Sequence, residues 1–133
     1  MSVWRRKALE LFPDERPYIQ DGETTIYQLF FLLLPRCRQA HKNGNTKELE
    51  KIYGFAEWCF RQRAQNMWNA AGVAFYEHLG DEPETRDEMH LWVKPDIFED
   101  ILSLLQYRMR QDDLTLVQRR FNEIKRSTPT SRL

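Results

Sequence analysis

The sequence predicts an all-α fold: antiparallel helical hairpins, about six helices, in a compact bundle or a short solenoid-like stack. Three observations carry this expectation. Apolar residues recur at helical spacing along most of the chain. No segment alternates apolar and polar residues for long, and no Asn-Gly or Asp-Gly pair lies between strand-like runs. Successive helix pairs of roughly 30 to 40 residues suggest stacked hairpins, while the lack of a visible internal repeat leaves an irregular bundle open. The 133 residues fit one domain over 1–126, followed by a tail at 127–133 (STPTSRL) with nothing to bury.

Ser2 is placed to cap a first helix running to about Phe12, with Val3, Ala8, Leu9 and Phe12 inward. Pro13, Pro17 and Asp21-Gly22 make an irregular connection, and Thr24 or Thr25 caps the second helix. Its Ile26, Leu29, Phe30, Leu33, Cys37 and Ala40 keep helical spacing, and Tyr27, Phe31, Leu32 and Leu34 occupy the other faces, so the helix is covered on several sides. Pro35 predicts a kink within it, because the pattern resumes at Cys37. Gly44 suits a left-handed helix end, and Asn45 with Glu48 forms a capping-box pattern for the next helix.

Residues 45–80 organise the chain. Leu49, Ile52, Tyr53, Ala56, Cys59 and Phe60 share one face, and Trp68, Ala71, Gly72, Phe75 and Leu79 form a second stripe. The stripes lie roughly a quarter-turn apart, which predicts two antiparallel helices breaking near Gln65-Asn66, the second closed by Gly80. Residues 81–87 read as a polar, acidic loop, and 89–93 as a helical turn or an extended segment. Pro95 starts a helix through about Gln111, with Ile97, Phe98, Ile101, Leu102, Leu105 and Met109 apolar. Asp112 caps a last helix that turns Leu114, Val117, Phe121 and Ile124 inward.

The formal net charge is +0 and the pI about 6.8, so nothing global attracts nucleic acid or a membrane surface. Charge is nonetheless uneven. Residues 77–100 hold nine acids against Arg86 and Lys94, a local net of −7; residues 36–63 and 101–133 each hold seven basic residues against three acids. The N-terminus has no apolar signal-peptide core, and the longest apolar run, 29–34, has six residues, too short to span a bilayer. Cys37 and Cys59 read as buried free thiols of a cytoplasmic protein.

No catalytic set emerges. His41, His78 and His90 lack a second ligand at metal-like spacing, so no metal or cofactor is expected. The glycines are scattered singly and make no phosphate loop; Gly54 and Gly72 read as marks of close helix packing. Acid pairs at Asp81/Glu82 and Asp87/Glu88 have no apolar surround to raise a pKa. Arg36, Arg38, Lys42, Arg119, Arg120, Lys125 and Arg126 are interleaved with acids, as on a solvated face. Phe55 and Trp58 lie off the main stripe, which fits either a second packing layer or an exposed aromatic anchor for a partner.

The run Gly44-Asn45, Leu49, Ile52, Phe55, Glu57, then Asn69, Val73 and Phe75-Tyr76-Glu77-His78-Leu79, resembles an uncharacterised family of small all-helical bacterial proteins. Some of these look like immunity proteins of polymorphic toxins. The likeness covers roughly 24–80, with Asn45 where the family has Asp, and leaves out the acidic stretch and the helices beyond it. It implies stoichiometric inhibition of a toxin domain rather than catalysis. The leading expectation is therefore a non-enzymatic, protein-binding inhibitor. Asp81, Glu82, Glu84, Asp87 and Glu88, with Trp92 beside them, would meet a basic partner, and Phe55 with Trp58 is the alternative surface. The other class is a nucleic-acid-associated protein using the basic helices at 36–63 and 101–126, which predicts salt-sensitive binding.

Overall fold

Trp4, Ala8 and Phe12 are spaced one helical turn apart and make the inward edge of the first helix, α1 (Val3–Leu11), in the computed structural model, which describes residues 1–127 and the side chains of 1–124. Val3, expected inward, is 53 % exposed, because it sits one 100° step off the stripe that Trp4 begins. Ser2 occupies the N-cap position without a side-chain hydrogen bond. The connection that follows is more ordered than its prolines suggested: a 3-10 turn (Pro13–Glu15) and a short helix, α2 (Arg16–Gln20), with Pro17 in its first turn, where no backbone N–H is needed.

Arg5 ties this connection down. Its guanidinium donates to the carbonyls of Ile19 (2.6 Å), Asp21 (2.8 Å) and Thr24 (2.6 Å), and at 3.4 Å to that of Gly22. A lysine would keep the charge but could not span these acceptors with a planar fork. Arg5→Lys is expected to cost about 2 kcal/mol in urea denaturation; an unchanged midpoint would show that the connection holds itself.

Thr25 caps α3 (Ile26–Asn43) in a reciprocal box. Its hydroxyl accepts the Gln28 N–H (3.1 Å), and the Gln28 side chain accepts the Thr25 N–H (2.8 Å). The helix continues through Pro35, where Pro35 and Phe31 both face solvent, so water can reach the carbonyl that Pro35 leaves without its usual partner. Gly44 (φ +65°) ends α3 in the left-handed region, and the Asn45 side chain accepts the Glu48 N–H (3.2 Å) to start α4 (Thr46–Phe60). Glu48 does not complete a box; Arg36 holds its carboxylate with two bonds of 2.7 and 3.0 Å.

The break after α4 falls at 61–64, earlier than expected, and α5 (Gln65–Ala74) starts where the polar run had suggested the turn. It also ends before Gly80. Phe75 and Tyr76 are adjacent yet 0 % and 1 % exposed, and a continuing helix would turn one of them 100° away. The backbone leaves helical geometry at Phe75 (φ −128°, ψ −72°) and re-enters a 3-10 turn (Tyr76–His78) instead. Residues 81–87, expected to be a loop, hold a one-turn helix, α6 (Pro83–Arg86), and of the two readings of 89–93 the helical turn is the one found, α7 (Met89–Trp92). Thr85 makes α6 possible: fully buried, it donates its hydroxyl to the Leu79 carbonyl.

Next, α8 (Pro95–Arg108) stops short of Gln111, which begins α9 (Gln111–Ser127). The Met109 side chain packs closely over Gly80: a Cβ there would lie 2.5 Å from two of its atoms, so the flexible methionine would have to move aside. Among the described residues there are nine α-helices and no strand, against about six helices expected. The three extra are α2, α6 and α7, of five, four and four residues, too short to show a period. One contiguous core runs from Trp4 to Phe121, which makes a bundle rather than a repeating stack. The tail expected at 127–133 lies, but for Ser127, outside the described residues.

Candidate functional site

The acidic stretch is local in sequence but not in charge. Asp81 accepts from Arg108 (2.8 Å) and faces His78 (3.1 Å). Burial alone would raise its pKa, but Arg108 and His78 outweigh that and lower it. Asp87 pairs with Arg120 (3.4 Å) and Arg86 (3.8 Å), and Glu88 with His41 (2.6 Å). Glu82 and Glu84 have no side-chain partner among the described residues. Part of the −7 is thus offset by arginines that only the fold brings near, Arg108, Arg120 and Arg61. The same pairing occupies two of the seven basic residues of 36–63: Arg36 meets Glu48, Asp14 and Glu15, and Arg61 meets Glu57 and Asp96. Lys125 and Arg126 lie outside the described side chains.

His41 sits at the centre of a buried polar chain, its side chain 1 % exposed. Its Nδ1 lies 2.6 Å from Glu88 Oε1 and its Nε2 2.7 Å from the Tyr53 hydroxyl. A carboxylate only accepts, so Nδ1–H is the donor to Glu88. Burial, with Cys37 and Glu88 nearby, holds the Tyr53 pKa well above its ordinary value, so its O–H remains to donate to Nε2. Burial likewise pushes the Cys37 thiol, which lies beside that hydroxyl, up to about 12. The order carboxylate, imidazole, hydroxyl is that of a nucleophile relay. Here the terminal hydroxyl belongs to a residue 4 % exposed, so its chemistry is to join α3, α4 and the α6–α7 segment. Trp92 closes the arrangement, stacked on Tyr53 at 5.6 Å and 18°. It is half-buried, while Leu91 is 61 % exposed and Val93 4 %. A depression of about 300 Å³ opens over this end, lined by His41, Lys42, Pro83, Glu84, Asp87 and Glu88.

The alternative aromatic pair divides. Phe55 is 0 % exposed, held between Phe12 (6.0 Å) and Phe30 (5.4 Å), so the exposed-anchor reading does not hold for it: it faces the second layer, built by α1. Trp58 is half-buried, with the Lys7 ammonium 5.6 Å from its ring centroid. Gly54, on the same groove, was read as a packing glycine, but a Cβ there would meet nothing within 4 Å.

The feature that sequence reasoning missed lies between α5 and α8. A groove of about 510 Å³ is lined by Phe60, Trp68, Asn69, Gly72, Val73, Asp100, Ile101 and Leu104. Trp68 is 40 % exposed. Asn69 is fixed by donating to the Tyr27 hydroxyl on α3 (2.9 Å). Gly72, read as a packing glycine, has room for a side chain: a Cβ there would lie at ordinary contact distance, 3.5 Å from Leu104 and 4.0 Å from Phe60. Of the expected inward stripe, Ala71, Gly72, Phe75 and Leu79 are buried and Trp68 alone is not, because the buried face of α5 is shared with Met67, Ala70 and Ala74 and leaves Trp68 at its edge. The run of small residues Ala70-Ala71-Gly72 beside a Trp was the available signal.

The family model described as Domain of unknown function (DUF7674) matches residues 5–111. The chain belongs to this family. The DUF7674 match reaches well beyond 24–80 on both sides, takes in Arg5, the His41–Tyr53–Glu88 chain and both walls of the groove, and stops at the first residue of α9. Its description names no activity or partner. Neither the curated proteins nor the solved structures gave a match. Among the described residues of this DUF7674 chain no cluster of His, Cys, Asp and Glu could hold a metal, and no helix is long and apolar enough to cross a membrane.

Proposed function

We propose that this chain is a non-catalytic protein-binding module that docks its partner on Trp68 and the α5–α8 groove. The observation that carries the reading is Trp68: an indole left 40 % exposed while lining an apolar groove, which neither of the other exposed aromatics, Phe31 and Tyr107, does. Exposed Trp residues beside apolar pockets are the usual anchors of protein interfaces. The narrower reading, an immunity-type inhibitor of a bacterial toxin domain, rests on the sequence resemblance of 24–80 alone.

A photoreactive residue at position 68 tests the face. In the source cell it should give a discrete covalent adduct with one protein, and the same residue at Tyr107, 88 % exposed on α8, should not. Equal labelling from both positions would count against a dedicated surface. The narrower reading predicts that cells expressing a toxin encoded beside this chain survive with it and die with Trp68→Asp. Killing unaffected by the intact chain would remove the inhibitor reading and leave the binding face standing.

A further inference from the structure

We infer that the α5–α8 groove takes a basic amphipathic segment of the partner protein, an inference that rests on the protein-binding reading above. Its walls are apolar and aromatic, with Phe60, Val73 and Leu104 lining the slot and Gly72 leaving room on its floor. One charged residue lines it, Asp100, and no ion pair or hydrogen bond engages that carboxylate among the described residues. Asp81, Asp87 and Asp96 each meet an arginine within the fold, whereas Asp100, like Glu82, Glu84 and Glu99, does not among the described residues, and of these four only Asp100 lines the groove. An unpaired carboxylate and a part-exposed indole lining one groove suit a cation twice over, by charge and by the ring quadrupole. The volume of about 510 Å³ admits apolar side chains rather than a whole domain. Trp68 lines the slot with 40 % of its surface exposed, and a segment lying along the slot would cover more of the ring. The occupant is therefore an amphipathic helix whose apolar side chains enter the slot and whose flanking Arg or Lys meets Asp100.

The test uses the full ¹⁵N-labelled chain and two short helical peptides, one of leucines with arginines and its counterpart with glutamates for the arginines. The Leu/Arg peptide should shift the Trp68 indole N–H and the amides of Gly72 and Asp100, with the Leu/Glu peptide about tenfold weaker or worse. Asp100→Asn should erase most of that preference. Gly72→Ala places its methyl at ordinary contact distance from Leu104, so it keeps the fold while making the groove shallower, and should weaken the Leu/Arg peptide about tenfold. Gly54→Ala, open to solvent on α4, is the control that should bind as the native chain does. Equal groove binding by both peptides overturns the basic-segment inference and leaves the protein-binding reading intact. Groove shifts from neither peptide, or shifts that appear with protein concentration alone and mark a second copy as occupant, overturn the inference. Shifts confined to Glu82 and Glu84 and indifferent to Asp100→Asn overturn it and return the site to the acidic segment.

Discussion

Phe55→Ala should cost about 3–5 kcal/mol of stability, the penalty for deleting a ring from a core that cannot close over the gap. Phe55 is 0 % exposed and packs on Phe12, Phe30 and Trp58 from α1, α3 and its own helix, so three elements would line the cavity. Trp58→Ala is expected to cost no more than about 1–2 kcal/mol, because half-buried area is lost and a lysine contact with it. Urea denaturation of the two variants separates the roles that their neighbouring positions blur. A larger loss at Trp58 than at Phe55 would mean that the second layer is not where the fold puts it.

The second large effect lies at His41. His41→Leu keeps bulk but leaves the Tyr53 hydroxyl buried without its acceptor, and a cost of about 2–3 kcal/mol is expected. Tyr53→Phe strands His41 Nε2 instead, for about 1–3 kcal/mol. The Glu88 carboxylate is 44 % exposed, so water takes over its half of the chain and adds little. With both changes the polar pair becomes apolar and nothing is stranded. The double variant should therefore be more stable than the sum of the single losses implies, by about 1 kcal/mol or more. Strict additivity would sink the view that His41 and Tyr53 act as one unit between α3 and α4.

Much of this was legible in the residues. The six long helices follow from apolar period, and their ends from Thr25, Gly44, Asn45 and Pro95, whose preferences are local and need no partner. Both cysteines are buried and free, as their stripes implied. Short helices were not legible, since four residues complete barely one turn and carry no periodic signal. Trp4 and Val3 show the limit of stripe reading: with both apolar, the partner surface decides which one turns in.

The candidate surface was harder, for a reason of charge and of geometry. Sequence counts treat 77–100 as an acidic block, yet Arg108 and Arg120 come from helices far along the chain and His41 from α3. Coulombic partners are chosen by distance in space, and a chain with equal numbers of acids and bases can pair them only after folding. Asp100 was counted within that block, but what distinguishes it is that it meets no arginine and lines the groove. Trp68 was assigned inward by a period whose other members, Ala71, Gly72, Phe75 and Leu79, are buried, but the face that α5 turns in also takes Met67, Ala70 and Ala74 and leaves the indole at its edge. Sequence by itself determined the class of the fold, its long helices and most of its core, because helical period and capping are properties of neighbours along the chain. Tertiary structure alone decided which charges are cancelled and which aromatic is left outside, because both depend on what another helix brings within a few ångströms.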